Sequence, residues 1–398
     1  MAFFKKYWLE IVATVAVSAF TALPSFFFFQ RMGDGFRGVY PVFNSDALYY
    51  QARVQEIYDG HPGLNHQYLF EHKDASFSQP VGAEYFVYGL TRLFGVSAPE
   101  MQVALDVLTP AIIFLLTYVL FKSISRNEYT SVLFPLALYT VVLGGLFKPM
   151  HPQISLPLLL LFLIFWVHLI LKQERKLLHS VLAGMFLGLL FLTYFYHWSF
   201  LLVVVGIYVL ILLLGRSFKE LWYHALMLGV GGLIGLPYFI RVWQALDTPS
   251  YYETSVRLGM YLTHLPESYP RLAVALVWLA FFVLFSRYLR IEQERKVHIV
   301  AALLIANVLY PNHQIITGVT VENAVHWIWM PVFIFALSGH YALSKVRQQP
   351  PTPLNVSMFL FVALLLVAPA WRLSTFTLRP YTYVYRPNVS EELQYYAD

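Results

Sequence analysis

Apolar residues along this chain come in long runs, separated by short polar turns and by three wider polar stretches. A helix needs about 20 mostly apolar residues to cross a bilayer. That measure predicts eleven spans, at about 8–29, 103–121, 129–147, 154–171, 177–195, 199–214, 222–240, 271–289, 297–310, 326–343 and 354–370. The first is not a cleavable signal, because its apolar run is too long and Pro24 with Phe26 to Phe29 offers no small-residue cleavage site. The expected fold class is all-α: a polytopic membrane protein whose spans occupy residues 1–370, with 371–398 opening an outer segment.

The widest polar stretch, about 30–100, follows the first span; the others are about 241–270 and 371–398. Two short helices are predicted inside the first loop. Asn44-Ser45-Asp46 offers capping side chains and a carboxylate at the positive end of a helix dipole. Ala47, Tyr50, Val54 and Ile57 then recur at helical spacing, and Asp59-Gly60-His61-Pro62-Gly63 stops the run. A second stretch from Glu84 to Phe94 is amphipathic, with Phe86, Val87, Leu90 and Leu93 on its apolar face, and is expected to lie along the membrane.

Composition supports the same class. Of 398 residues 58% are hydrophobic and only 12% are charged, too few to clothe a soluble enzyme, a disordered chain or a basic nucleic-acid binder. With no cysteine there is no disulfide framework and no thiolate site. The nucleotide signature GxxxxGK and the zinc-protease signature HExxH are absent.

Charge fixes the expected orientation. With the N-terminus inside, the short inner segments hold 15 basic and six acidic residues, a net +9, and the outer segments hold 12 and 16, a net −4. The basic bias predicts N-terminus cytoplasmic and C-terminus extracytoplasmic. Acidic residues barely influence orientation, so their outward crowding points to chemistry on that face.

Asp46 leads the candidates, in the run Asn44-Ser45-Asp46-Ala47-Leu48-Tyr49-Tyr50-Gln51-Ala52-Arg53 just after the first span. It is either a helix-start carboxylate or a reacting group. An Asp, two aromatics and an Arg in this position resemble the GT-C class of membrane glycosyltransferases, most of all the oligosaccharyltransferase catalytic subunit, with protein O-mannosyltransferases and the lipid A aminoarabinose transferase nearby. The resemblance implies a sugar donor on a polyprenyl phosphate or diphosphate, a protein, lipid or glycan acceptor on the outer side, and a divalent cation such as Mg or Mn. It implies that Asp46 is the base or a metal ligand. It departs from the oligosaccharyltransferase pattern in the turn between spans three and four, Lys148-Pro149-Met150-His151-Pro152-Gln153, which has no acid. His151 there is a candidate metal ligand and Lys148 a candidate phosphate contact. Many such enzymes continue into a soluble outer domain, so the polar tail from Trp371 is expected to begin one.

Other candidates follow from charge and position. Arg53 lies two turns after Asp46 on the same helical face, placed to orient it or to meet phosphate. Tyr49 and Tyr50 suit a sugar face or the bilayer interface. Glu84 opens the second amphipathic stretch. Arg257 is a candidate phosphate contact in the 241–270 loop, and Glu253 a candidate polar partner. A polar cluster of Asn312, His313, Gln314, Glu322, Asn323 and His326 is expected to line a cavity. The rival reading is a multi-span transporter or flippase for lipid-linked sugar, kept open by His168, His224, His298 and His340 within or beside spans.

Overall fold

The computed structural model describes residues 2–41, 46–64, 79–125, 127–142, 152–248, 251, 260–321 and 329–346. Twelve helices longer than one turn organise these residues. They are α1 (Ala2–Met32), α2 (Asp46–Tyr58), α3 (Gly82–Phe94), α4 (Ala98–Ser125), α5 (Glu128–Val142), α6 (Ser155–Leu171), α7 (Lys176–Thr193), α8 (Phe195–Leu214), α9 (Phe218–Leu246), α10 (Tyr269–Tyr288), α11 (Arg295–Leu309) and α12 (Trp329–Val346). One strand pair, β1 (Tyr261–Leu262) with β2 (Val319–Thr320), runs antiparallel. Ten of the eleven predicted spans coincide with α1 and α4 to α12; the eleventh and the 371–398 segment lie outside the described residues. Among the described residues six helices, α1, α4, α7, α8, α9 and α10, are long and apolar enough to cross a bilayer, and α6 is a shorter apolar helix.

The main core joins α4, α6, α7, α8, α11 and α12 around Trp166, Phe121, Phe162 and Tyr341, all sealed from solvent. Its tightest seam is α7 against α9. Gly184 and Gly188 on α7 meet Gly231 on α9, and Gly235 on α9 meets Phe191 on α7. A β-carbon at Gly188 would stand 2.5 Å from Ile234 Cβ, and one at Gly235 would stand 2.5 Å from Phe191 Cδ2. Small residues four apart are how helices approach closely where lipid gives no hydrophobic push.

A second, smaller core matters more for the site. Val54 of α2, Ala83 and Val87 of α3, Met101 and Leu105 of α4, and Ile154 before α6 pack together. This cluster seats the two loop helices on the ends of the bundle. Gly60 has φ +87°, a left-handed conformation suited to glycine, and stands just past the last helical turn of α2 where the sequence predicts a stop. The apolar positions of α3 divide between two faces. Ala83, Glu84, Val87 and Thr91 turn into the protein, whereas Phe86, Leu93 and Phe94 are exposed.

Charged groups at the face opposite α2 and α3 are tied in. Tyr118 Oη donates to Glu10 Oε1 at 2.5 Å, and Lys122 Nζ donates to Tyr118 Oη at 2.6 Å. Lys176 pairs with Glu220, and Lys345 with Glu294 at 2.7 Å. Arg295 and Lys296 donate to the carbonyls of Ile170 and Ile124. Asp106 corrects the charge census. Counted among the outer acids, it lies inside α4, 2% exposed.

Candidate functional site

Asp46 is the first residue of α2, half-buried, where the helix dipole favours a carboxylate. It stands within electrostatic range of Tyr50, one turn on, and of Tyr194 at the junction of α7 and α8. The Tyr50 hydroxyl is held well above the usual phenol range, first by burial, then by the negative charges of Glu84 and Asp46, with Arg53 opposing. It therefore stays protonated. Tyr49 Oη donates to Gln79 Oε1 at 2.9 Å, and its ring lies against Tyr50 with centroids 5.1 Å apart.

Arg53 turns inward from α2. Its Nε donates to Glu84 Oε1 of α3 at 2.6 Å, and Nη1 donates to the Leu64 carbonyl at 3.1 Å. The guanidinium lies 5.6 Å from the Tyr49 ring centroid, a cation–π distance. Arg53 and Glu84 are each about 1% exposed. Burial is the largest influence and opposes the charge on Arg53, but Glu84, Tyr49 and Tyr50 together outweigh it and the guanidinium pKa is raised. Arg53 Nη2 and Glu84 Oε2 have no hydrogen-bond partner among the described residues.

A third charge joins them from the end of α9. Arg241 donates to the Gly63 carbonyl, one residue before the carbonyl that Arg53 holds, and feels both Arg53 and Glu84 electrostatically. Two guanidiniums thus lie within electrostatic range of one carboxylate, and these three groups carry a net positive charge.

Arg241 also lines a cavity of about 960 Å³ between α3, α4, α6, α7 and α9. Its walls are mostly apolar: Phe86, Leu90, Leu108, Ile112, Pro157 and Leu192 among others. Arg241 is the one charged residue among the described residues lining it. Phe86, Phe94, Leu108 and Ile112 line the cavity and are also exposed, so it opens sideways between α3 and α4. Behind one wall sits a closed polar ring. Gln102 Nε2 donates to Asp106 Oδ1 at 2.7 Å and to Gln153 Oε1 at 2.9 Å, and Gln153 Nε2 donates to the same Asp106 oxygen at 2.5 Å.

The structure thus brings Arg53, Tyr49, Tyr50 and Glu84 together beside Asp46. Lys148, His151, Glu253, Arg257, Glu322, Asn323 and His326 lie outside the described residues. Arg241 and Asp106 were missed. Arg241 reads in sequence as the start of a loop, and Asp106 as one outer acid among many. Of the polar cluster after α11, Asn312 caps the Val308 carbonyl and Gln314 Nε2 donates to the carbonyls of Leu265 and Pro311. His224 and His340 are tied into packing, accepting from Trp166 Nε1 at 3.3 Å and meeting Ser125 Oγ at 2.5 Å. Among the described residues no three His, Asp or Glu side chains converge to hold a metal ion.

No family model matches the sequence, and no curated protein matches it. Solved structures do match in fold. One is the oligosaccharyltransferase of Archaeoglobus fulgidus in its apo form, at 14% identity and a TM-score of 0.55, over 100% of this chain and 60% of that one. Another is ArnT from Cupriavidus metallidurans bound to undecaprenyl phosphate, also at 14% identity and TM-score 0.55, over 97% of this chain and 77% of that one. The class defined is a helical integral membrane protein with the GT-C glycosyltransferase fold. The chain spans about 60% of the length of the archaeal enzyme it matches.

Proposed function

We propose that this protein is a membrane glycosyltransferase that moves a sugar from a polyprenyl-phosphate-linked donor to an acceptor on the extracytoplasmic side. One observation carries the reading: a sideways-open apolar cavity ends at Arg241, in a net-positive cluster that adjoins α2 and its Asp46. An isoprenoid chain fits the apolar walls and reaches them from the bilayer. Its phosphate then meets Arg241, with Arg53 behind.

The chemistry follows from those positions. The acceptor hydroxyl attacks the anomeric carbon of the sugar. The bond from that carbon to the phosphate oxygen breaks, and the lipid phosphate leaves as an anion facing the guanidinium. The hydroxyl proton passes to the Asp46 carboxylate and then to water. A leaving phosphate needs no proton, so one base and one cationic seat suffice. Positive charge on the sugar ring in the transition state is also favoured by a carboxylate nearby. Tyr50, kept protonated, is placed to donate to a sugar oxygen.

Replacing Asp46 with Asn tests the reading. In purified protein supplied with polyprenyl-phosphate sugars, the variant is expected to lose transfer by on the order of 10²–10⁴-fold, the range of a general base. Transfer at the wild-type rate removes Asp46 from the mechanism. A parallel run with a chelator separates a base from a metal ligand. A wild-type protein that moves such lipids across vesicles but transfers no sugar supports the flippase instead.

A further inference from the structure

Beyond the spans and the site, the connections after α9 and α11 build a rigid apolar platform. β1 and β2 pair Tyr261 with Thr320 and Leu262 with Val319. Thr263 N donates to the Gly318 carbonyl at 3.0 Å, and Gln314 Nε2, buried, donates to the Leu265 carbonyl at 3.2 Å. Gly318 closes the helical turn Gln314–Thr317 at φ +73°, with the His264 ring 3.0 Å from where a β-carbon would stand. The polar side chains of this region are thus spent on holding its backbone, and the apolar ones point out. Leu262 is 83% exposed, Ile316 79% and Leu265 64%, with Tyr261 and Ile315 beside them.

We propose that this platform is an interfacial anchor, seated in the headgroup–acyl boundary of the leaflet on the α2–α3 face. Its occupant is lipid rather than a protein partner because Leu265 stands four residues before α10, a helix long enough to span the bilayer. Beyond the Glu267–Arg271 ion pair at its start, that helix exposes Val274, Val277 and Leu284. Tyrosines at 261 and 269 suit headgroup depth, where an apolar ring with a polar tip is favoured. Rigidity matters because a preformed apolar surface enters the interface without a further ordering cost. The anchor ties the segments after Arg241 and Tyr310 to the membrane surface, which sets the depth of the site face against lipid headgroups.

The absence of cysteine makes the test direct. Leu262→Cys, Leu265→Cys and Ile316→Cys, each carrying a nitroxide label, are reconstituted in phosphatidylcholine–phosphatidylglycerol vesicles. Leu284→Cys on α10 serves as the lipid reference and Gln55→Cys, exposed on α2, as the water reference. Power saturation is read with oxygen, which partitions into lipid, and with a nickel chelate, which stays in water. All three platform labels are expected to favour oxygen, at a shallower depth than position 284. Nickel access equal to that at position 55 overturns the proposal. So does exclusion of both reagents, which means that protein covers the patch, and so does a split between the three positions.

Discussion

Arg53 of α2 and Glu84 of α3 meet at 2.6 Å in a setting where each is about 1% exposed. The pair locks the two loop helices at the end of the bundle and places Asp46 two turns away on the same helix. Such a pair gains little over two apolar side chains, but losing one partner strands a buried charge. Arg53→Met and Glu84→Leu are each expected to cost about 3–5 kcal/mol of stability. The double variant is expected to recover a large part of that loss. Denaturant unfolding in lipid nanodiscs measures the cycle. Additive single effects would mean that the two groups do not act as a pair.

Arg241 stands where the apolar cavity meets the charge cluster. A charge-assisted hydrogen bond to phosphate contributes about 1.5–3 kcal/mol, so Arg241→Gln is expected to raise the donor KM by roughly 10- to 150-fold. Arg241→Lys keeps the charge but loses the fork that also holds the Gly63 carbonyl, and falls between. An unchanged KM in both variants would place the donor phosphate elsewhere.

The spans were legible because bilayer length forces long apolar runs, and α2 because its start, spacing and glycine stop are all local signals. The contacts that make the site were not. Arg53 and Glu84 are 31 residues apart, and Arg241 meets the carbonyl of Gly63 from 178 residues away. Same-face spacing pointed Arg53 toward Asp46, but the packing of α3 against α2 gives it Glu84 instead. Asp106 was hidden by its own helix. A lone acid near a span end reads as a loop residue until Gln102 and Gln153 are seen closing on it. Polar density after α11 suggested a cavity, yet Asn312 and Gln314 spend their amides on backbone carbonyls, that of Gln314 on Leu265 from 49 residues away.

Glu294, in the connection before α11, accepts from Lys345 Nζ at 2.7 Å and from Tyr341 Oη at 2.8 Å. Partial burial pushes its carboxyl up, but the bonds from Lys345 and Tyr341 and the charges of Lys345 and Lys296 win, so its pKa lies below the usual 4.5. The folded state therefore binds this proton less readily than the unfolded one. Its contribution is fully present above about pH 4.5 and fades as pH falls through the lower folded value. Melting temperature recorded from pH 7 down to pH 3 is expected to fall less steeply at the acid end for Glu294→Gln than for wild type. Identical slopes would show that this pair does not couple folding to pH.

The α7–α9 seam makes the clearest claim on stability. Gly188 and Gly229 are both helical glycines, and on helix propensity alone each would gain up to about 1 kcal/mol on changing to alanine. Their surroundings differ. Nothing lies within 4 Å of a β-carbon at Gly229, whereas one at Gly188 meets Ile234 Cβ at 2.5 Å and the Gly231 carbonyl oxygen at 3.0 Å. The β-carbon of Ile234 cannot swing away as a flexible side-chain end would, so the helices themselves must part. Overpacking of this kind costs typically about 1–3 kcal/mol. Gly188→Ala is therefore expected to destabilise the protein while Gly229→Ala leaves it unchanged or slightly firmer, read by unfolding in nanodiscs. Separation of α7 from α9 also moves Leu192 and Tyr238 apart across the cavity, since both line it. The same Gly188→Ala protein is then expected to hold a polyprenyl phosphate less tightly at a temperature where it remains folded. Unaltered lipid affinity in that variant would mean that the seam and the cavity are mechanically independent.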